Sequence, residues 1–273
     1  MMRDNHNPSS RLWLQSSSPS VWLSVLRWFV SFGIAIALWE LCARVFVANN
    51  LFLTPLSTVA VRAVELSSTG ELQNHIYVSF VEFIGGFSLA VVVGIMLGVI
   101  LAEFSLIRDL VDPWVSMLYA TPIIALGPLF ILWLGIGIVS KIAIVFLVAV
   151  FPILINTVSG LTTTDRTLIE VAQSFGANAK QIYTKVRMPS AIPFIIAGLR
   201  LSVARALVGV VVAELFGARA GLGFLILNSA QSFDTAGVFV GVIILAIAGV
   251  VSVELLKWIE FRLAPWRDQE NEM

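Results

Sequence analysis

EVAQSFGANAKQIYTKVRMP, residues 170–189, is an amphipathic stretch set between two long apolar ones. Its parts read as helix, glycine, helix. Asp165 suits the N-cap of a helix running through RTLIEVAQSF, because its carboxylate can accept from the first free backbone N–H groups. Gly176 follows where a helix end wants a left-handed residue, a conformation glycine takes without a Cβ penalty. A second short helix over 178–186 comes next, with Ile182 and Val186 four apart on one face. Pro189 and Pro193 end the excursion and open the next apolar run. Lys180, Lys185 and Arg187 suit an anionic lipid surface. Ala172 and Ala177 would let another protein approach closely. From these residues alone, an interfacial hairpin and a docking knob both remain open.

The surroundings of this stretch define its setting. Of 273 residues, 58 % are hydrophobic and 12 % charged, against about 25 % charged in soluble domains. With a mean hydropathy of +0.94, the chain reads as an integral membrane protein. A formal net charge of zero gives no electrostatic case for nucleic acid. Cys42 is the single cysteine, which excludes an intrachain disulfide and a cysteine metal cluster. His6 and His75 show no ligand spacing, so no metal site is expected. Residues 1–23, polar and rich in Ser, Asn and Pro over their first twenty, are expected to be a disordered N-terminus. Residues 24–267 form the membrane domain and 268–273 a tail.

A spanning helix needs about 20 mostly apolar residues. Six stretches qualify: 28–47, 76–102, 111–134, 138–161, 192–216 and 237–259. Their apolar runs are continuous rather than alternating, which predicts an all-α bundle and not a barrel. The first carries Glu40 and Arg44, four apart and able to pair. It is long enough to be an uncleaved helix rather than a signal peptide. Eleven basic residues fall on the side of the quoted stretch and four on the other, which places both termini in the cytoplasm. On the opposite side, 57–68 reads as a short helix stopped by Thr69 and Gly70. Phe224 to Leu227 reads as an apolar dip too short to span. Pro122 and Pro128 in the third span and Pro152 in the fourth each remove a backbone hydrogen bond and predict kinks. Such breaks fit packing, or a span that lines a water-filled path.

The pattern Glu170, Ala172, Gly176, Val186, Met188, Pro189 resembles the EAA loop of ABC importer permeases. Val171, Val186 and Met188 depart conservatively from the usual Ala, Ile and Leu. The runs TPIIALGPLFILWLGIG, GLRLSVARALVGVVVAELFG, GLGFLI and LAPWR are similar to the nitrate/sulfonate/taurine/bicarbonate branch of these type I permeases. The resemblance covers residues 53–267. It implies a six-helix permease of the bacterial inner membrane whose coupling loop, 162–190, seats in a cytoplasmic ATPase. Glu170, Ala172, Gly176, Ala177, Ile182 and Pro189 are the implied coupling residues. It implies two ATPase subunits, a second permease copy, most simply identical, and an external substrate-binding protein. The chain has no phosphate-cradling GxxxxGK[ST] loop. ATP and Mg are thus expected on the partner, with no cofactor and no catalytic residue here.

Thr121, Pro122, Glu82, Arg205 and Glu214 are the candidates for the translocation path. Charges inside a membrane are costly and usually face a bundle interior or cavity. Arg205 lies past the middle of the fifth span, about 140° around the helix from Arg200 and about 20 Å from Ile192. Its guanidinium suits an anion; pairing with Glu214, Glu82 or Glu40 is the structural alternative, and Arg200 reads as structural. Glu82 stands where nitrate- and taurine-type relatives often carry a basic residue, and an unpaired carboxylate there would disfavour small anions. A thiamine precursor is therefore the alternative cargo. An ATP-independent transporter would have no use for the EAA pattern. An intramembrane enzyme would need a catalytic constellation, yet the aspartates sit at span ends.

Overall fold

The computed structural model describes residues 21–46 and 52–263. Apart from residues 21–23, the expected disordered N-terminus lies outside these, as does the 268–273 tail. Residues 21–23 already belong to the first helix, α1 (Val21–Leu41). The chain divides at Ser57. In the first unit, α1 runs into a π turn, Cys42–Phe46. Arg44 Nη2 meets Glu40 Oε1 at 2.7 Å, and Ser57 Oγ donates to the same oxygen. The helix thus begins and ends several residues earlier than the expected first span. The π turn carries Arg44 beside the carboxylate that its i, i+4 spacing predicted.

The second unit holds the bundle. Its helices are α2 (Leu56–Ser68, begun at the end of the first unit), α3 (Glu71–Glu103), α4 (Ser105–Ala120), α5 (Gly127–Leu134), α6 (Ile138–Thr162), α7 (Arg166–Ser174), α8 (Ala179–Ile182), α9 (Met188–Leu215), α10 (Leu222–Gln231) and α11 (Thr235–Leu263). Among the described residues, four helical stretches are long and apolar enough to cross a membrane, Glu71–Glu103, Ile138–Thr162, Ala179–Leu215 and Thr235–Leu263. The pair formed by α4 and the segment Ile123–Leu134 makes a fifth when taken together. α1, where the sixth was expected, is not among them.

α3, α6 and α9 form the core. Lipid tails are as apolar as leucine, so close packing rather than water exclusion drives helices together in a membrane. The sequence provides for that closeness. Gly86, Ala90, Gly94 and Gly98 repeat every four residues along α3. A Cβ at Gly86 would lie 2.5 Å from Val145 Cβ, and one at Gly98 would lie 2.6 Å from Thr157 Cβ. Gly94 faces Ile153 in the same way at 3.0 Å. Val145, Ala149, Ile153 and Thr157 are themselves four apart, so two matching ridges run the length of the contact. Gly198 of α9 packs on Pro152 and Asn156 of α6 in the same close manner.

The prolines differ in effect. Pro152 sits within α6 without ending it, and Asn156 Nδ2 donates to the Pro152 carbonyl at 2.8 Å. Pro122 and Pro128 act otherwise. The expected third span, 111–134, is not one kinked helix. α4 stops at Ala120, Thr121 is extended, a 3-10 turn covers Ile123–Leu126, and α5 departs at 78°. Pro122 cannot donate to the helical ladder and disfavours a helical residue before it, which ends α4 there.

Candidate functional site

The quoted stretch forms an elbow. Asp165 caps α7 by accepting from Thr167 N–H at 2.8 Å. At the other end Gly176 has φ +79. Its N–H donates to Gln173 O at 2.8 Å, and Ala177 N–H donates back to Ala172 O at 3.0 Å. These two bonds close a Schellman end. Ala172 and Ala177 are therefore joined through their backbones across Gly176. A Cβ at Gly176 would meet nothing within 4 Å, so its requirement is conformational, not steric. Asn178 then caps α8 in a reciprocal box with Gln181, each side chain bonding the other's backbone N–H at 2.9 Å.

The second arm departs from the expected short helix over 178–186. α8 passes through a π turn, Tyr183–Arg187, directly into α9. Pro189 does not end the excursion. It opens the span as expected, in the first turn of α9, but directly after the π turn and without a break in the helical path. The helical stretch Ala179–Leu215 is thus unbroken over 37 residues. Arg187 locks the crook of the elbow: Nη1 meets Glu103 Oε1 at 2.8 Å and Nη2 donates to Leu161 O at 3.2 Å. Tied to Glu103, it is not the free lipid-facing cation that the sequence suggested. Ile182 is half-buried along a cleft of about 470 Å³ between the arms. Glu170 is exposed on α7. Beside it Leu168, Val171 and Phe175, spaced as one helix face, are 51, 49 and 88 % exposed. Sequence reading passed over this ridge, although its i, i+3, i+7 spacing was there to find.

The five path candidates separate into two places. Thr121, Pro122 and Arg205 line one cavity of about 320 Å³ at the break between α4 and α5. Among the described residues, Arg205 does not pair with a carboxylate as the structural alternative required. Its Nη2 donates to Tyr119 Oη at 2.9 Å, and its guanidinium carbon lies 4.7 Å from that ring's centre. Tyr119, at the last turn of α4, was missed because an aromatic in an apolar span carries no signal of its own.

Glu82 and Glu214 lie elsewhere, each 1 % exposed. Lys141 Nζ is 3.0 Å from Glu82 Oε1. Glu214 accepts from Ser79 Oγ and from Gly223 N–H, both at 2.5 Å. Ser79 Oγ accepts from Leu222 N–H at 2.7 Å, and buried His75 Nδ1 accepts from Gly221 N–H at 3.0 Å. Three buried side chains of α3 and α9 therefore strap down the N-terminus of α10. His75, Ser79 and Glu82 occupy one face of α3 at helical spacing, a polar stripe visible in the sequence. Arg200 has the structural role expected of it and pairs with Glu260 of α11. At the same end of the bundle as α10, Asp234 accepts from Gly237 N–H and meets Arg62 Nε at 2.8 Å. That bond keeps the Arg62 guanidinium pKa above its usual value.

Residues 90–265 match the family of binding-protein-dependent transport system inner membrane components. A Bacillus subtilis permease named for aliphatic sulfonates transport is 38 % identical, covering 86 % of both chains. A formylaminopyrimidine transport permease of Halalkalibacterium halodurans is 32 % identical over 88 % of this chain and 95 % of its own. The taurine transport system permease of Escherichia coli is 27 % identical over 87 % of this chain and 88 % of its own. Among solved structures, the MetNI methionine ABC transporter in an inward-facing conformation matches with a TM-score of 0.60. That match covers 70 % of this chain and 95 % of the other at 19 % identity, a likeness of fold.

Proposed function

Because the chain belongs to the family of binding-protein-dependent transport system inner membrane components, we propose that its elbow is the joint through which an ATPase drives it. The chain is the transmembrane permease subunit of an ABC importer and a multi-pass membrane protein. Its work is transport, with ATP hydrolysis in a partner and cargo delivered by a binding protein. In our reading, two ATPase subunits, which bind ATP and Mg, serve two identical copies of this chain. Both termini and the elbow face the cytoplasm, as the basic residues direct.

One observation carries the coupling reading: the elbow is continuous with a spanning helix. α8 and α9 form one unbroken stretch from Ala179 to Leu215, and Gly176 folds α7 back against it. A push on the exposed ridge of Leu168, Val171 and Phe175 passes through the closed turn at Gly176 and then along the continuous helix Ala179–Leu215 into the span bearing Arg205. An interfacial hairpin would have no use for so stiff a connection. Glu170, Ala172, Gly176, Ala177, Ile182 and Pro189 are assigned to this joint, with the first four shaping the turn and the last two the lever. The test is a pull-down: the wild-type chain should retain its ATPase in detergent, and Gly176→Val should lose it while still inserting. Equal retention by both would remove the elbow from coupling.

For cargo we propose a small organic oxyanion of the sulfonate type, with Thr121, Pro122 and Arg205 lining the path. The sequence objection to anions was an unpaired Glu82. In the structure Glu82 is buried against Lys141, away from the cavity, and the objection lapses. The formylaminopyrimidine relative keeps a neutral nutrient as the second reading.

A further inference from the structure

We propose that Arg205 and Tyr119 together form an oxyanion-selecting station, at which the head group of a small alkanesulfonate pauses in transit. The inference rests on the permease reading above and adds to it a residue pair and a chemistry. Arg205 lies ten residues before the end of α9, about 15 Å along the helix. In a hydrocarbon core of about 30 Å that is close to the midplane. A guanidinium facing lipid there is strongly disfavoured, so its exposed position requires water, cargo or another copy of the chain in front of it.

The other cations of the helical core are neutralised. Lys141 faces Glu82, Arg200 faces Glu260 and Arg187 faces Glu103. Arg205 is held by an aromatic ring and a phenol instead, neither of which cancels its charge. Among the described residues, no carboxylate lines the cavity it borders. The positive charge is thus conserved for a visitor.

Tyr119 sets how tightly that visitor is held. Its hydroxyl takes one Nη hydrogen bond and its ring covers one face of the guanidinium. Phe151, 7 % exposed, packs 6.5 Å from the Tyr119 ring and holds it in place. The remaining N–H groups can still meet two oxygens of a sulfonate side by side, a geometry that an ammonium cannot offer. A path must bind enough to admit its cargo and weakly enough to release it. A guanidinium partly occupied by tyrosine meets both needs. The break at Thr121 and Pro122 opens the cavity at this level, beside Val208 and Ala204 of α9.

The experiment is uptake of radiolabelled alkanesulfonate by proteoliposomes holding the complete complex with ATPase and binding protein. Arg205→Met should lower uptake by about tenfold or more, the loss of one charge-assisted contact. Arg205→Lys should recover part of it. Tyr119→Phe, which removes a charge-assisted bond and frees that guanidinium N–H for the cargo, should lower the apparent KM for the sulfonate by about threefold or more, and leave assembly with the ATPase intact. Should Arg205→Met fail to assemble, Arg205→Lys and Tyr119→Phe still decide. Wild-type uptake and KM in both of these, or in Arg205→Met, would overturn the station. A wild-type complex that hydrolyses ATP and imports an uncharged pyrimidine but no sulfonate would overturn it too, leaving the permease reading intact. Failure of the wild-type chain to bind any ATPase would instead strike the permease reading.

Discussion

Gly176 shows what a single residue decides. With φ +79 and open space around its Cβ position, any L side chain would be strained by about 1–2 kcal/mol without touching a neighbour. Gly176→Val should therefore bend the turn rather than unfold the bundle, so ATPase co-purification falls while membrane yield holds. Glu170→Lys tests the exposed face of the same turn. ATPase stimulation should drop at least severalfold, and an unchanged rate would reduce Glu170 to a helix former. Glu214 is the buried counterpart. Glu214→Leu would leave Gly223 N–H without its acceptor and the hydroxyl of Ser79 without a place to donate. A cost of about 1–3 kcal/mol is expected, read as a fall of several degrees in thermal unfolding in detergent. An unchanged midpoint would show that α10 is held by packing alone. At this scale the sequence was informative where chemistry was unusual for its place. Asp165, Gly176 and the Glu40–Arg44 pair are where their residue types said they should be. Arg205 was recognised as special, but its partner was not. Tyr119 lies 86 positions away on another helix, and nothing local announces a contact of that range.

Helices were legible as elements, and their joints were not. Continuous apolar runs located the core helices because hydropathy is a local property. The sequence predicts Thr121 within a kinked span and a separate short helix before Pro189; in both places the outcome at a proline is set by its surroundings rather than by its presence. Pro152 is absorbed within α6, Pro189 follows a π turn within the continuous stretch Ala179–Leu215, and Pro122 follows the end of α4. Which outcome holds depends on what satisfies the freed carbonyls, and that is set by neighbouring helices. The continuous lever carries a direct prediction. Two glycines inserted after Arg187 should leave ATPase bound, because the docking face is untouched, yet abolish cargo-stimulated hydrolysis. Full stimulation in that variant would mean that force does not travel through α9. The ladder of Gly86, Gly94 and Gly98 carries another. Gly94→Leu places a branched side chain where a Cβ already lies 3.0 Å from Ile153. Overpacking of about 1–3 kcal/mol or more should follow, seen as lost monodisperse protein. Normal yield and melting would show that α3 and α6 can separate without cost.

At the scale of the molecule, a stiff elbow lies at one end of the three-helix core, a broken span and an uncompensated arginine at its middle, and a strapped short helix at the other end. α9 connects all three, carrying the elbow's second arm, Arg205 and Glu214 in sequence. Composition, one loop pattern and four similar runs were enough to place the chain among importer permeases, the family to which it belongs. The cargo was not legible in that way. It depends on which side chains meet across helices, and the pairing of Glu82 with Lys141 emerged only in the folded chain. In the proposed mechanism, cargo arrival and ATP hydrolysis are coupled through this chain. The most direct measurement is ATPase activity of the complex in proteoliposomes, with and without binding protein loaded with an alkanesulfonate. Loaded binding protein should stimulate hydrolysis severalfold, and that stimulation should be lost when two glycines follow Arg187. Sulfonate uptake that proceeds without ATPase or ATP would contradict this coupling.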